Sequence, residues 1–448
     1  MKYPLAKIKA RFHKTKLALL CFIVTSCAAG GLLALLLSGG SGGLPIVPAL
    51  ILPGGRQLVV TSSHPLVRFF SEPQVAAATP DNSKVYVTNL RRDTVSVIDV
   101  LTDRVITELP VGRAPSAIAI TPDGSKAYIS NVGALPSEPG KTVSVIDIKT
   151  DTVIATVTVG LLPATVAITP DSSKVYVANT SSFSVSVIDV ALDEVIATIT
   201  VGFDPVDIAI TPDGSKAYVT NLLSNSVSVI DVSKDAVIET IAVGNIPIAI
   251  GITPDSSKVY IGNCSCGVAV LDKPDTLSVI NVSTDEVIAT IPVGFGPLGL
   301  AITPDGSKVY VPNSNSSTIS VINIVTDKVI ATVPIGAGPV AVAITPDDSK
   351  VYVGNLDSIN EVFGGLGALS DPSKTVSVID AAANKVIATI TVGNRPFGIA
   401  VRHDGTKAYV ANYLSGTVSV IDVSTDSVIA TIPIKVESEV LSSELGID

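Results

Sequence analysis

TPDGSKAYVTN, residues 211–221, decides how the rest of the chain reads. Pro212 presets the backbone for the second position of a type I turn. Gly214 supplies a left-handed backbone at little steric cost. The turn feeds KAYVTN (216–221), a run suited to a strand. Three more such runs flank it: VDIAIT (206–211), VSVIDV (227–232) and AVIETIAV (236–243). Val, Ile and Thr dominate, and Ser/Asp-rich turns bound the runs, so the unit reads as four short strands, A to D. Alternation of apolar and polar residues is only partial, which predicts sheets buried on both faces.

The phrase returns at Thr79, Thr121, Thr169, Thr253, Thr303 and Thr345, with a degenerate eighth copy starting at Arg402. Successive spacings are 42, 48, 42, 42, 50, 42 and 57 residues, a period of 42 with three insertions. The position after the turn Asp holds Gly four times, Asn82, Asp348 and twice Ser. All seven junctions between units read Val/Ile-Gly-x-x-Pro, from Gly112 to Gly393, and Lys435 stands in place of that Gly after the eighth unit.

A four-stranded unit of this length cannot bury two faces alone, whereas copies stacked around an axis bury both. The fold expected is all-β: a single β-propeller of four-stranded antiparallel blades, preceded by one N-terminal hydrophobic helix. Eight blades are expected, with seven plus an irregular terminal unit as the alternative. Repeats occupy 73–434 within a propeller of 56–434, followed by a tail at 435–448. Small residues in strand A, such as Ala117/Ala119 and Gly299/Ala301, suit strands converging on an axis. Residues 58–70 are a candidate extra strand that latches blade 8.

The units resemble the YVTN-type β-propeller repeat, with Tyr86–Asn89 and Tyr218–Asn221 matching its name. That resemblance implies an extracytoplasmic or surface-layer protein of bacteria or archaea. It also points to fold relatives among lactonases and cofactor-bearing reductases.

The net charge of −10 conceals six basic residues and no acid in segment 1–16. LALLCFIVTSCAAGGLLALLL (17–37) carries no charge and is long enough to span a bilayer as a helix. Residues 38–55 form a Gly/Ser/Pro linker. Three readings stand for 17–37: an uncleaved signal anchor, a cleaved signal peptide, or a lipoprotein signal with Cys27 lipidated. All place the body outside the cytoplasm, membrane-tethered in the first reading. Cys264 and Cys266 form a Cys-Ser-Cys pair, read as two thiols, a small disulfide or half of a metal site.

In a propeller the B–C and D–A loops share one face, and all three insertions fall in B–C loops: 131–142, 263–276 and 355–375. Loop growth on one face marks it as the candidate binding face. Its candidate contacts are Arg91, Arg92 and Phe183 in B–C loops, and Phe203, Asp204, Phe295, Arg395 and Phe397 in or beside D–A loops. Glu361 and Phe363 lie in the longest insertion. The recurring Asp, Asn and Tyr positions are read as turn and packing residues, because a catalytic group would occur once or twice, not once per blade.

With no Trp and three His, the chain offers neither a His-rich metal centre nor Trp stacking platforms. No cofactor is expected. Ca²⁺ is the one ion considered, with Asp272, Asp275 and Asp371 as weak candidate ligands. The expected function is non-enzymatic: a binding or scaffold propeller at the cell surface or in the periplasm, its macromolecular partner unidentified. The alternative is a metal-dependent hydrolase of lactonase type around Asp207, the single acid of the inner strands. A third reading, single-stranded nucleic-acid binding through Arg91, Arg92, Arg113 and Arg395, is disfavoured by the acidic body.

Overall fold

A computed structural model describes residues 49–51, 57–59, 75–134, 138–264, 274–356 and 373–434. Two units divide the chain, 1–62 and 63–448. In the first, the described residues form one antiparallel pair, Ala49–Ile51 with Gln57–Val59. The apolar run at 49–51 thus makes a strand inside the expected linker. The hydrophobic segment 17–37, with Cys27, lies outside the described residues, as does the tail 435–448. Among the described residues no helix is long and apolar enough to cross a membrane.

Eight four-stranded antiparallel sheets make up the second unit, at 76–110, 115–158, 163–200, 205–242, 247–292, 301–334, 339–391 and 396–433. We number them blades 1 to 8. In blade 4 the strands are A, Pro205–Ile210; B, Lys216–Asn221; C, Ser226–Asp231; and D, Ala236–Ala242, within a residue or so of the sequence reading. Every blade takes its four strands consecutively from its own segment. Blade 8 takes its four described strands from 396–433. Of the latch candidate 58–70, residues 58 and 59 pair within Gln57–Val59 against Ala49–Ile51, and 60–70 lie outside the described residues.

The core is not one mass but eight large clusters, one at each seam between neighbouring blades, with a small ninth of Ala114, Val132 and Leu162 among the loops. At seam 3/4, Tyr176, Val185, Val187 and Ile199 of blade 3 meet Ile208, Ala217, Val219 and Ile230 of blade 4. Strand B explains the partial alternation. Tyr86 faces the next blade, while Val85 and Val87 face the previous one, and all three are fully buried. The last cluster joins Tyr409, Val418 and Val420 of blade 8 to Val85, Val87 and Ile98 of blade 1, which closes the ring.

Polar groups repeat as faithfully. The residue after the turn Asp is left-handed in all eight A–B turns, including Ser172 and Ser256, with φ from 58 to 71°. The turn Asp is a bracket: Asp81 Oδ1 accepts from Thr79 Oγ1 (2.6 Å) and from the Ser83 amide (3.0 Å). Those bonds hold its carboxyl below the usual carboxylate range. The strand-B Asn is buried in every blade, and Asn221 Nδ2 donates to Ser226 (3.2 Å) and Ser228 (2.9 Å) of strand C. The junction Gly sits directly over it. A Cβ at Gly202 would lie 2.6 Å from Asn221 Cγ, so this close approach, not backbone freedom, demands glycine.

One recurring device spans the seams. Lys84 Nζ and Tyr86 OH of blade 1 both reach Asp151 of blade 2, at 2.7 and 2.5 Å. The same three-residue clamp recurs around the ring, with Asp193, Asp235, Asp285, Asp327 and Asp426 as later acceptors. At seam 8/1, Lys407 and Tyr409 hold Asp103 at 2.6 and 2.8 Å. Seam 6/7 substitutes Asn384, which accepts from Tyr310 OH at 3.2 Å. All eight acceptors are left-handed residues of C–D turns, with φ from 48 to 54°. Asp and Asn tolerate that conformation better than most residues.

Candidate functional site

Backbone hydrogen bonds knit the B–C loops to the D–A loops on one face. Thr180 N–H donates to Leu162 O, Leu222 N–H to Asp204 O and Tyr413 N–H to Arg395 O, each at 2.9 Å. Each acceptor precedes the junction Pro. That position is left-handed in all seven junctions: Ala114, Leu162, Asp204, Ile246, Gly296, Gly338 and Arg395. Five of these carry side chains where glycine would be free of strain. Ile246, β-branched at φ 48°, is the most costly, on the order of 1–2 kcal/mol. Its amide is held by Asn225 Oδ1 at 2.9 Å.

Blades 3 and 4 give this face an apolar patch. The rings of Phe183 and Phe203 meet edge to face, 5.1 Å apart at 81°. Phe203 is 45% exposed, and Leu161 and Leu223 are exposed beside it. The Ser181 amide donates to Leu161 O and the Leu223 amide to Phe203 O, so the loops bearing the four side chains are bonded in series. Sequence reasoning found the two Phe and missed the two Leu. The available signal was a bulky apolar residue in loops otherwise filled with Ser, Asn and Gly.

The remaining candidates spread around the ring. Arg91 is exposed on blade 1, and Arg92 beside it is engaged by both carboxylate oxygens of Glu108 at 3.2 and 2.9 Å. Arg113 pairs with Glu138 at 2.8 Å. These pairs spend the charge that a nucleic-acid phosphate would need. Phe295 is half-buried, its amide donating to Ser316 Oγ at 2.7 Å. The Arg395 guanidinium lies 6.0 Å above the Tyr413 ring. Phe397 is half-buried in strand A of blade 8. Asp204 is 2% exposed, so its side chain is turned from solvent. Glu361 and Phe363 lie outside the described residues.

Cys264 is buried and disulfide-bonded; Cys266 lies outside the described residues. Asp275 accepts the Gly296 amide at 2.8 Å, a loop-bracing role, and Asp272 and Asp371 lie outside the described residues. Among the described residues, no three His, Cys, Asp or Glu side chains come together as a metal site.

Asp207 stands apart, in innermost strand A of blade 4. Burial raises its pKa from 3.8 to about 7, against the opposing pull of hydrogen bonds from the Ile208 and Ile250 amides. The Ile208 amide lies 2.9 Å from Oδ1, and Ile250 belongs to blade 5, so the carboxyl bridges two blades. The sign for stability follows. A carboxyl with a raised folded-state pKa favours the fold when protonated, and that contribution drains away as pH rises from about 4 to about 7. Asp207→Asn is therefore expected to be close to neutral at pH 4 and stabilising at pH 8, by at most about 4 kcal/mol. Urea denaturation of both proteins at the two pH values checks this; an Asn variant less stable at pH 8 would refute it.

Residues 67–282 match the Choice-of-anchor I domain. No curated protein matches the chain. Among solved structures, Kuenenia stuttgartiensis hydrazine synthase is similar with a TM-score of 0.54 and 24% identity, over 69% of this chain and 95% of that one. The dihydro-heme d1 dehydrogenase NirN, solved in complex with DHE, is similar with a TM-score of 0.64 and 15% identity, over 81% of this chain and 78% of that one. At such identities the likeness is one of fold, and the fold is the eight-bladed propeller.

Proposed function

We propose that this chain is a surface-associated propeller that acts by binding and not by catalysis, taking a macromolecular ligand on the face where the B–C and D–A loops meet. The observation that carries the reading is the patch of exposed Leu161, Phe203 and Leu223 with half-buried Phe183, on loops whose backbone strain is held by hydrogen bonds. Exposed aromatic side chains on a rigid support are what binding faces use as anchors. The Choice-of-anchor match and the resemblance to YVTN-type repeats support a place at the cell surface. In this reading, segment 17–37 tethers the ring to the membrane.

Phe203→Asp tests the face. Its side chain is close to half exposed and stands on a loop outside the seams, so the variant should melt within a few degrees of the parent. Retention on immobilised cell-envelope polymer and envelope-protein fractions should fall at least about tenfold, the usual weight of a central aromatic anchor. Retention unchanged from the parent would remove the patch from consideration.

A second reading, a hydrolase centred on Asp207, is favoured by one observation: a carboxyl that holds its proton near neutral pH, as a general acid or base must. Assay with lactones and esters in the presence of divalent ions separates the two. Turnover abolished by Asp207→Asn would replace the binding reading with this one.

A further inference from the structure

The outer wall of the ring carries a pattern that the loop-bearing face does not explain. Every strand D contains a β-bulge at the same place. In blade 4, Val229 pairs with Glu239 and Ile230 with Val237, which leaves Ile238 without a partner. The skipped residue is isoleucine in all eight blades: Ile106, Ile154, Ile196, Ile238, Ile288, Ile330, Ile387 and Ile429. Each is 42–50% exposed. A bulge breaks the regular ladder an added strand would need, so the wall is protected against edge-to-edge pairing. It nevertheless presents an apolar side chain from every blade.

Charge divides the same wall in two. Strand D begins with Arg104 in blade 1, Lys328 in blade 6 and Lys385 in blade 7. It begins with Glu194 in blade 3 and Glu286 in blade 5, and blade 4 carries Glu239. All six are exposed, and none forms an ion pair among the described residues. Glu108, the one acid on the cationic side of these strands, is already occupied by Arg92. In an eight-bladed ring, blade 7 lies opposite blade 3, and blade 1 opposite blade 5. Cations and anions therefore occupy opposite arcs.

We propose that the wall is a lateral interface for a second copy of this chain, the cationic arc of blades 6 to 1 docking on the anionic arc of blades 3 to 5 of its neighbour. Bulged isoleucines supply the apolar contact, and the opposed charges set the orientation. Such a contact joins different surfaces of the two copies and leaves a free arc at each end, so it propagates into rows and does not close as a dimer. It uses no residue of the loop-bearing face, and it stands or falls separately from the binding function.

Charge reversal of the full-length protein tests it, with sedimentation velocity as the readout. Arg104→Glu/Lys328→Glu/Lys385→Glu makes both arcs acidic, and Glu194→Lys/Glu239→Lys/Glu286→Lys makes both basic. The parent should self-associate in low salt and dissociate in high salt. Each triple variant alone should associate at least about tenfold more weakly, and an equimolar mixture of the two should associate again. A parent that stays monomeric overturns the proposal. So does association that ignores the reversals, which would point to the N-terminal apolar segment, or a mixture that fails to recover. Circular dichroism of each variant, expected to match the parent, shows that the reversals act on the surface and not on the fold.

Discussion

Above pH 10 the ring will lose stability far faster than one or two titrating groups could cause. Eight tyrosines, one per seam, are fully buried, and burial together with the facing Asp side chains pushes their phenols well above the ordinary value of 10. Tyr310, whose partner is the uncharged Asn384, is pushed up to about 12, chiefly by burial. For an acid whose pKa is higher in the fold than in the open chain, stability is fully present below the open-chain pKa. It is lost as pH rises toward the folded one. Each tyrosine then costs about 1.4 kcal/mol by pH 11, or roughly 11 kcal/mol for eight. That equals the whole stability of an ordinary domain. Alkaline unfolding should therefore be abrupt just beyond pH 10, with tyrosinate absorbance appearing in the same step. Tyrosinate absorbance that rises beyond what the two tyrosines outside this set, Tyr3 and Tyr413, can supply while the circular dichroism stays native would show that the seam phenols ionise inside the fold, against this account.

Removing the carboxyl at the closing seam should be the most damaging single polar change. Asp103→Ala strands Lys407 and Tyr409, and places a Cβ-bearing residue without a side-chain acceptor at φ 51°. The pair is about one-sixth exposed, which puts the loss at about 3 kcal/mol, below that of a fully buried ion pair. The molecule supplies its own control. Seam 6/7 works with Asn384, so Asp103→Asn should cost only about 1 kcal/mol. Urea midpoints measure both, and hydrogen exchange should quicken first in blades 1 and 8. Equal losses for Asn and Ala would mean that the carboxyl's charge, not the turn geometry and the acceptor, holds the seam.

The fold was legible because its instructions are written eight times. Pro, Asp and Gly at fixed offsets named the A–B turn, and the structure makes even Ser172 and Ser256 left-handed there. The strand-B Asn was read as a turn residue, whereas it is a buried brace between strand C and the junction Gly. Ser226 and Ser228 are near Asn221 in sequence, but Gly202, which packs over it, stands 19 positions away, and periodicity reports only residues close along the chain. The clamp escaped for the same reason: Tyr218 and Asp285 are 67 positions apart. The acceptor did recur eight times in the C–D turns, but Asp is so common in turns that its partnership could not be read from composition. The site was harder still. Function rests on positions that break the repeat, and one sequence shows a departure such as Phe183 or Leu161 without showing what it meets.

That each blade takes four consecutive strands from its own segment has a consequence for descent. A propeller that closes by lending a strand from one end to the other has a fixed beginning, and an added unit must respect that joint. Here each blade takes its strands from its own segment and every seam follows one plan, with Asn384 in place of Asp at seam 6/7, whether or not the chain runs through it. A gene for such a ring can gain or shed one 42-residue unit by unequal recombination without orphaning a strand. Its ends can move to any blade boundary. The Val-Ile pair common to all eight strands D, from RVITELP to SVIATIP, fits a lineage that grew by such whole-unit copying.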